Sequence, residues 1–393
     1  MRRTGFTGDI WPDGIKELLL RAALMPGHEG AAAWTAVRPR IDVDHLPGEL
    51  HRLIPLLWKA LADSGIDDPE LARLKGVYQY SWYRNQLLFA DGAALIAALE
   101  AAGVRTMLLR GGAMAVAHHR DAGIRLMNDL DVLVTAADLD RSRRLAEAGG
   151  WCPLAGSKQF ERREAAVTLQ NREGRIIRLH WTPSRNVPLP EASEAMWRRP
   201  VSVTFKHVET RVPSAADHLL YACIDGARAN SGSTLRWIGD VTVLLRVVPD
   251  INWDVLVAEA RRHRVSLLIG EALRYLVDTF DAGVPPAVLA ALAAAPATRR
   301  DRLAHRLSLT TSPRMPSAAE VLGRHTRLTA DIPLSRAVAT APTFLQDLLG
   351  AQRRRDVPAA VARKAVRAVM SPAPSMAESE RIRPAERGRR SSK

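Results

Sequence analysis

One stretch of 27 residues, 108–134 (LLRGGAMAVAHHRDAGIRLMNDLDVLV), constrains this chain more than anything around it. Upstream the apolar spacing is helical: Leu50, Leu53, Ile54 and Leu57 recur on one face, Tyr78 to Phe89 continues in the same style, and a further amphipathic helix is expected from Asp91 to Ala102, stopped by Gly103. Within the stretch the period changes. Val104–Leu109 and Asp129–Val134 are short apolar runs of strand type, separated by Arg110-Gly111-Gly112 and a helix through His118. A chain that switches from helix to short buried strands must assemble a sheet there and cover it with the helices on either side.

The pattern after residue 134 extends this reading. Ala136–Ala148 is expected as a helix closed by Gly149-Gly150, with strands at Ala165–Leu169, Arg175–Trp181 and Val201–His207. Helix returns after Val212, with Ser214 placed to cap it three residues before Asp217, and continues at 234–248, 253–263, 267–279 and 286–294. The expected organisation is an N-terminal helical region (1–90), a mixed-sheet α/β domain (91–212), a C-terminal helical domain (213–300), a further basic helical segment (301–370) and a basic tail (371–393). The fold class is therefore α+β: a small mixed sheet flanked by N- and C-terminal helical regions.

Composition narrows the class of protein. Of 393 residues 47% are hydrophobic and 25% charged, which excludes a chain disordered throughout. No apolar run is long enough for a membrane span, the N-terminus lacks the apolar stretch of a secretory signal, and two cysteines, Cys152 and Cys223, are too few for a disulfide framework or a cysteine zinc site. A cytoplasmic protein without a membrane span is expected. The net charge of +14 is uneven: residues 351–393 carry twelve basic and four acidic side chains, or +8 of the total. Such a tail can hold nucleic acid, although without aromatic residues it offers no stacking platform.

The chemistry concentrates in the same 27 residues. Gly111 and Gly112 stand where a strand turns into a helix, and missing side chains there let a triphosphate approach the backbone. Asp129 and Asp131 are two apart on a strand, so both carboxylates leave one face while Leu130 enters the core. Paired carboxylates form a hard-oxygen site for Mg²⁺ or Mn²⁺ that also takes nucleotide phosphates. Each piece alone has a plainer reading, a turn or a solvated strand face. Arg125, just upstream, reads either as a phosphate contact or as a surface ion pair. His118 and His119 are expected at the surface or at a helix end, since neighbours on a helix point about 100° apart. No serine elbow, His-Glu-x-x-His motif or complete phosphate-binding loop is present.

In this order of motifs the chain resembles the uncharacterised nucleotidyltransferase family of the DNA polymerase β-like nucleotidyltransferase superfamily. The likeness rests on Leu108–Gly112, on the Arg-x-Met-x-Asp-x-Asp run Arg125–Asp131, on Leu179-His180-Trp181 and on the helical stretch Leu235–Asp240, and extends over about residues 50–275. The resemblance implies metal-dependent transfer of a nucleoside monophosphate from an NTP to an acceptor. Asp129 and Asp131 would bind the metal and carry catalysis, Arg110, Gly111 and Gly112 would hold the nucleotide, and Arg125 would assist. The acceptor it implies is a hydroxyl or phosphate on a small molecule, a peptide or RNA; family members occur in peptide natural-product pathways.

Two positions depart from the family pattern. Arg110 stands where a Lys is usual, keeping the charge but presenting a planar fork. Arg178 stands where a third carboxylate is usual, two residues before His180 and on the same strand face. A guanidinium neither ligates Mg²⁺ nor acts as a base at neutral pH. Arg178, His180 and Asp240 are accordingly accessory candidates, His180 being equally at home as a satisfied core histidine and Asp240 as a structural hydrogen-bond partner. The departure opens a second reading, a nucleotide- or peptide-binding pseudoenzyme on the same fold. A third reading is a nucleic-acid-associated protein acting through its basic tail.

Overall fold

The computed structural model describes residues 10–154, 161, 165–187, 190–229, 235–309, 316–329, 332–349 and 353–359. Among the described residues four helices of ten or more residues lead into the sheet: α1 (Gly14–Leu24), α2 (Gly27–Val37), α3 (Ile54–Asp63) and α4 (Leu71–Ala101). The last is a single helix of 31 residues, where the sequence suggested a break before Asp91. Asp91-Gly92 is instead the point at which the helix meets the sheet. Asp91 binds Arg175 and Asn171, and a Cβ on Gly92 would run into Leu130, so glycine serves close packing there. The expected stop at Gly103 is present: Gly103 takes φ +77°, its N–H reaches Glu100 O at 2.8 Å, and Val104 N–H reaches Leu99 O at 2.9 Å. That is the paired bonding of a Schellman termination.

Five strands form the main sheet: β1 (Met107–Leu108), β2 (Asp129–Leu133), β3 (Cys152–Pro153), β4 (Ala166–Gln170) and β5 (Ile176–His180), in spatial order β1-β2-β5-β4-β3. Only β2 and β5 run parallel; the other pairs are antiparallel, so the sheet is mixed. A helical turn, Arg110–Ala113, follows β1 and runs on as a π-helical stretch, Met114–His119. Helix α5 (Leu139–Ala148) crosses between β2 and β3. The strand expected at 201–207 lies outside this sheet. It is β6 (Val201–Phe205), which follows α6 (Pro190–Trp197) and pairs with β7 (Val208–Val212) in a separate hairpin. Its turn falls at Lys206, with φ +59°, and carries none of the Gly, Asn or Asp that would have marked a hairpin in the sequence.

Helices α7 (Ala215–Gly226), α8 (Arg236–Val247), α9 (Trp253–Arg262), α10 (Ser266–Phe280) and α11 (Pro286–Ala293) follow. Ser214 caps α7, its hydroxyl accepting from Asp217 N–H at 3.2 Å. Three more helices, Arg299–Leu309, Pro316–Leu328 and Leu334–Leu349, extend beyond them. The tail expected at 371–393, and residues 310–315, 330–331, 350–352 and 360–370 of the basic helical segment expected at 301–370, lie outside the described residues. Among the described residues no helix is long and apolar enough to cross a membrane.

The two faces of β2 feed two different cores. Leu130 and Val132 pack with Leu95, Ile96 and Leu99 of α4 and with Ile177 and Leu179 of β5. Leu133 joins Met107 and Leu109 in a larger core shared by α1–α3, α7, α8 and α10. Helices from both ends of this sequence therefore share one interior, closed by Trp11 against Tyr275 at 4.5 Å between ring centres. Asp129 and Asp131 leave the second face of β2, between the sheet and α7–α8.

Candidate active site

Parallel pairing of β2 with β5 sets Asp131 directly opposite Arg178 and Leu133 opposite His180. Side chains on one face of adjacent strands meet, so the carboxylates of β2 face the basic residues of β5. Arg178 Nη2 binds Asp129 Oδ2, and its Nε lies 3.8 Å from Asp131 Oδ1. His180 Nε2 is 2.7 Å from the same Asp131 oxygen. Arg110 completes the cluster. One nitrogen donates to Asp131 Oδ1 at 3.1 Å and the other to Asp225 Oδ2 at 3.2 Å. Arg110 reaches both because the turn after β1 holds it at φ +46°, a conformation unusual for a residue with a side chain.

The charges follow from these contacts. Burial alone would raise the Asp131 carboxyl, but Arg110, His180 and Arg178 outweigh it and hold the group well below the usual carboxylate range. Arg110 and Arg178, though buried, are kept firmly protonated by Asp131 with Asp225 and by Asp131 with Asp129, respectively. Burial, and then Arg110, push the His180 imidazole down, so the ring is neutral at pH 7. Nε2 faces both Asp131 Oδ1 at 2.7 Å and Arg110 Nη1 at 3.0 Å. With the ring's one proton on Nε2 it donates to Asp131, and with that proton on Nδ1 it accepts from Arg110; in either tautomer Nε2 is engaged by the Asp131–Arg110 pair.

A cavity of about 290 Å³ opens onto this cluster, walled by the sheet, α7 and α8. Gly111 lines it, and a Cβ there would run into the Arg125 guanidinium and come within 2.9 Å of Met127 Sδ. Gly112 does not line it; its bare Cα admits Leu130 and Leu108, so among described contacts its service is packing. Arg125 lies across Gly111 and binds Asp240 of α8 through three contacts of 3.0–3.1 Å. Burial would raise Asp240, but Arg125 and His119 hold it low.

His118 and His119, expected at the surface or at a helix end, do end the helical stretch Met114–His119, but their rings are not at the surface. The His119 side chain is 3% exposed and lies 3.8 Å from Asp240, while His118 Nε2 meets His218 Nδ1 at 3.2 Å. The π-helical winding of Met114–His119 turns both rings inward. Trp237 is core and lies where a Cβ on Gly226 would fall, so α7 and α8 approach closely enough to bring Asp225 and Asp240 to one cavity.

Two residues escaped the sequence reading. Asp225 receives Arg110, Ser184 and Asn186, and only its place before Gly226 hinted at it. Asn85 is fully buried on α4; its amide donates to Ala122 O at 2.6 Å and Arg125 O at 2.7 Å and accepts from Met127 N–H at 3.3 Å. It fixes the segment that delivers Arg125 and β2. A polar residue within the apolar stripe of α4, at Leu88 minus three, was its signal.

The donor set bears on a metal. Asp129 Oδ1 and Asp131 Oδ2 have no hydrogen-bond partner among the described residues, whereas the other oxygen of each carboxylate is engaged by arginine or histidine. Mg²⁺ commonly takes one or two carboxylates and completes its shell with water and substrate phosphates, and this pair fits one such ion. Among the described residues no three His, Cys, Asp or Glu side chains converge as a ready-made cage, and Arg178 stands opposite Asp131 on the neighbouring strand. Glu161 and Glu173 do not line the cavity, and Glu164 lies outside the described residues.

A strand carboxylate pair on a small mixed sheet, set beside a glycine turn and walled by helices, is the arrangement of a nucleotidyltransferase-type domain. The chain belongs to the uncharacterised nucleotidyltransferase family, whose model matches residues 49–281. No curated protein matches the chain. Among solved structures it is similar to an antigenic nucleotidyltransferase-like protein from Paracoccidioides brasiliensis, at 16% identity and a TM-score of 0.34, over 54% of this chain and 94% of that one. Family membership supports a general nucleotidyl-transfer function.

Proposed function

We propose that this protein transfers a nucleoside monophosphate from an NTP to an acceptor oxygen, with Asp129 and Asp131 holding a single divalent cation together with the nucleotide. The observation that carries this reading is the pair of unpartnered oxygens, one on each carboxylate, opening on a cavity rich in guanidinium groups. The acceptor oxygen bonds to the α-phosphorus, a hydroxyl acceptor releasing its proton to solvent, while the bond from the α-phosphorus to the α–β bridging oxygen breaks and pyrophosphate leaves. A bound Mg²⁺ supplies neutralisation of phosphate charge. The chain's own part is positioning: Arg110 and His180 fix Asp131, Arg178 fixes Asp129, and the bare Cα of Gly111 leaves room for the Arg125 guanidinium beside the cavity. In a site that excludes water, fixed charges of this kind are the main source of rate in phosphoryl transfer.

Arg178 favours a second reading, binding without turnover, because it occupies both carboxylates from the strand where a third acid would stand. One experiment separates the two. The full chain is incubated with each of four α-phosphate-labelled NTPs, Mg²⁺ or Mn²⁺ and a cell extract, beside an Asp129→Asn control. Label moving onto an acceptor with wild type alone supports transfer and names the acceptor class as small molecule, peptide or RNA. Nucleotide binding in calorimetry with no label moved supports the pseudoenzyme.

A further inference from the structure

The cavity has two ends of different character. At the sheet end, Arg110 and Arg178 are spent on Asp129, Asp131 and Asp225. At the helical end stand Arg52, from the turn before α3, with Arg125 and Arg236. The carboxylate nearest them is Asp240, which Arg125 already occupies through three contacts, and Asp129 acts on Arg236 more weakly. Arg236 Nη2 is buried and has no hydrogen-bond partner among the described residues. Burial, followed by the nearby Arg125 and Arg52, pushes the Arg236 guanidinium well below its usual range, as a cation set among cations must be.

Leaving a buried donor unsatisfied next to like charge destabilises a fold, and native structures keep such groups where a ligand completes them. Stability alone gives no reason to retain Arg236. A ligand that does so must be anionic, carry several acceptor oxygens and bring more than one negative charge to three arginines that share Asp240 and, more weakly, Asp129. Phosphate meets all three conditions, and guanidinium forks match its oxygens in pairs.

We infer that Arg52, Arg125 and Arg236 form a seat for a phosphate dianion at the helical end of the cavity, distinct from the carboxylate pair at the sheet end. Two sources share this chemistry, the distal phosphates of the nucleotide and a phosphate borne by the acceptor. The inference deepens the transfer reading by adding a second anchoring point, but the seat is a binding property and can stand or fall without turnover.

The test uses the full chain in EDTA, so that no divalent cation contributes, with tripolyphosphate, pyrophosphate and orthophosphate as probes in calorimetry. Wild type is expected to bind at least one of them, with affinity falling as salt rises. Arg236→Gln and Arg52→Gln are each expected to weaken binding on the order of tenfold or more, while Arg236→Lys retains part of it. In phosphate-free buffer Arg236→Gln is expected to leave Tm unchanged or raise it, which loss of a structural arginine would not do. Affinity ordered ATP over ADP over AMP, with that ordering flattened in Arg236→Gln, assigns the seat to the nucleotide. Pyrophosphate binding undiminished by saturating ATP assigns it to the acceptor. Absence of binding by any probe, or binding unchanged in both glutamine variants, overturns the seat. Asp129→Asn, which the transfer reading expects to abolish turnover, should still bind the phosphate probes, so failure of transfer and failure of the seat remain separate results.

Discussion

Arg178 faces Asp131 across the parallel β2–β5 pair and binds Asp129 two residues away, so one guanidinium spans both carboxylates of the strand. It is an internal cation at the place where a nucleotidyl-transfer site otherwise gathers a third acid. Arg178→Asp therefore does more than delete an ion pair. It sets three carboxylates side by side, and like charges at that distance destabilise one another unless a cation joins them. The variant is expected to lose on the order of 1–3 kcal/mol in EDTA and to recover stability as Mg²⁺ is added. Thermal unfolding with and without Mg²⁺ checks this; equal Tm values under both conditions would refute it.

Asp129 and Asp131 differ as probes of function. The Asp131 side chain is 7% exposed and anchors Arg110, Arg178 and His180, whereas Asp129 is 24% exposed and anchors Arg178. Removing one partner from a buried charged group strands the others, at about 3–5 kcal/mol. Asp131→Ala is expected to fall in that range and Asp129→Ala to stay near 1 kcal/mol. Denaturant midpoints of the two variants test the order. Asp129 is thus the cleaner residue for asking about turnover.

The paired histidines behind Asp240 make the fold sensitive to acid. Burial, and then His119, push His118 down to about 4, while burial and then His118 push His218 down to about 3. Both lie below the unfolded value near 6.5, so the unfolded chain binds more protons as the pH falls. Their contribution is complete above pH 6.5 and is lost from there through about pH 4 for His118 and about pH 3 for His218. Each accounts for roughly 1.4 kcal/mol per pH unit inside its window. Urea midpoints at pH 7, 6 and 5 should fall more steeply for wild type than for His118→Gln; parallel slopes would remove the pair from the acid response.

Asn85→Ala leaves the carbonyls of Ala122 and Arg125 and the N–H of Met127 without their partner. Buried backbone groups left unsatisfied cost about 1–3 kcal/mol each, partly recovered by relaxation and water, so a total of roughly 2–4 kcal/mol is expected. Because the same segment carries Arg125, the variant should also loosen nucleotide binding. Chemical denaturation and calorimetry read the two effects separately.

How much of this was legible depended on whether the signal was local. Strand β2, the Gly103 stop and the Ser214 cap were readable because each is written within a few residues. The one-helix span of α4 was not, since Asp91-Gly92 looks like a boundary until Leu130, far along the chain, is seen to need that bare Cα. The β6–β7 hairpin was hidden by a turn at Lys206 with ordinary turn chemistry absent. Arg178 on the face of His180 followed from strand alternation, but its grip on Asp129 required the register of two strands 49 residues apart. Asp225 and Arg236 were out of reach for the same reason. Their meaning lies in what α7 and α8 bring to the cavity, and no spacing in the sequence states it.

The interior shared by α1–α3 with α7, α8 and α10 also sets a schedule for synthesis. Leu19, Leu20 and Trp34 leave the ribosome long before Ile238, Leu273 and Tyr275 exist to cover them. At about 5–20 residues per second the wait is on the order of tens of seconds. During that time the first helices present an uncovered apolar face, the condition under which nascent chains recruit chaperones or associate with one another. The Trp11–Tyr275 contact can then form only after the strands of the sheet and their carboxylates have been synthesised.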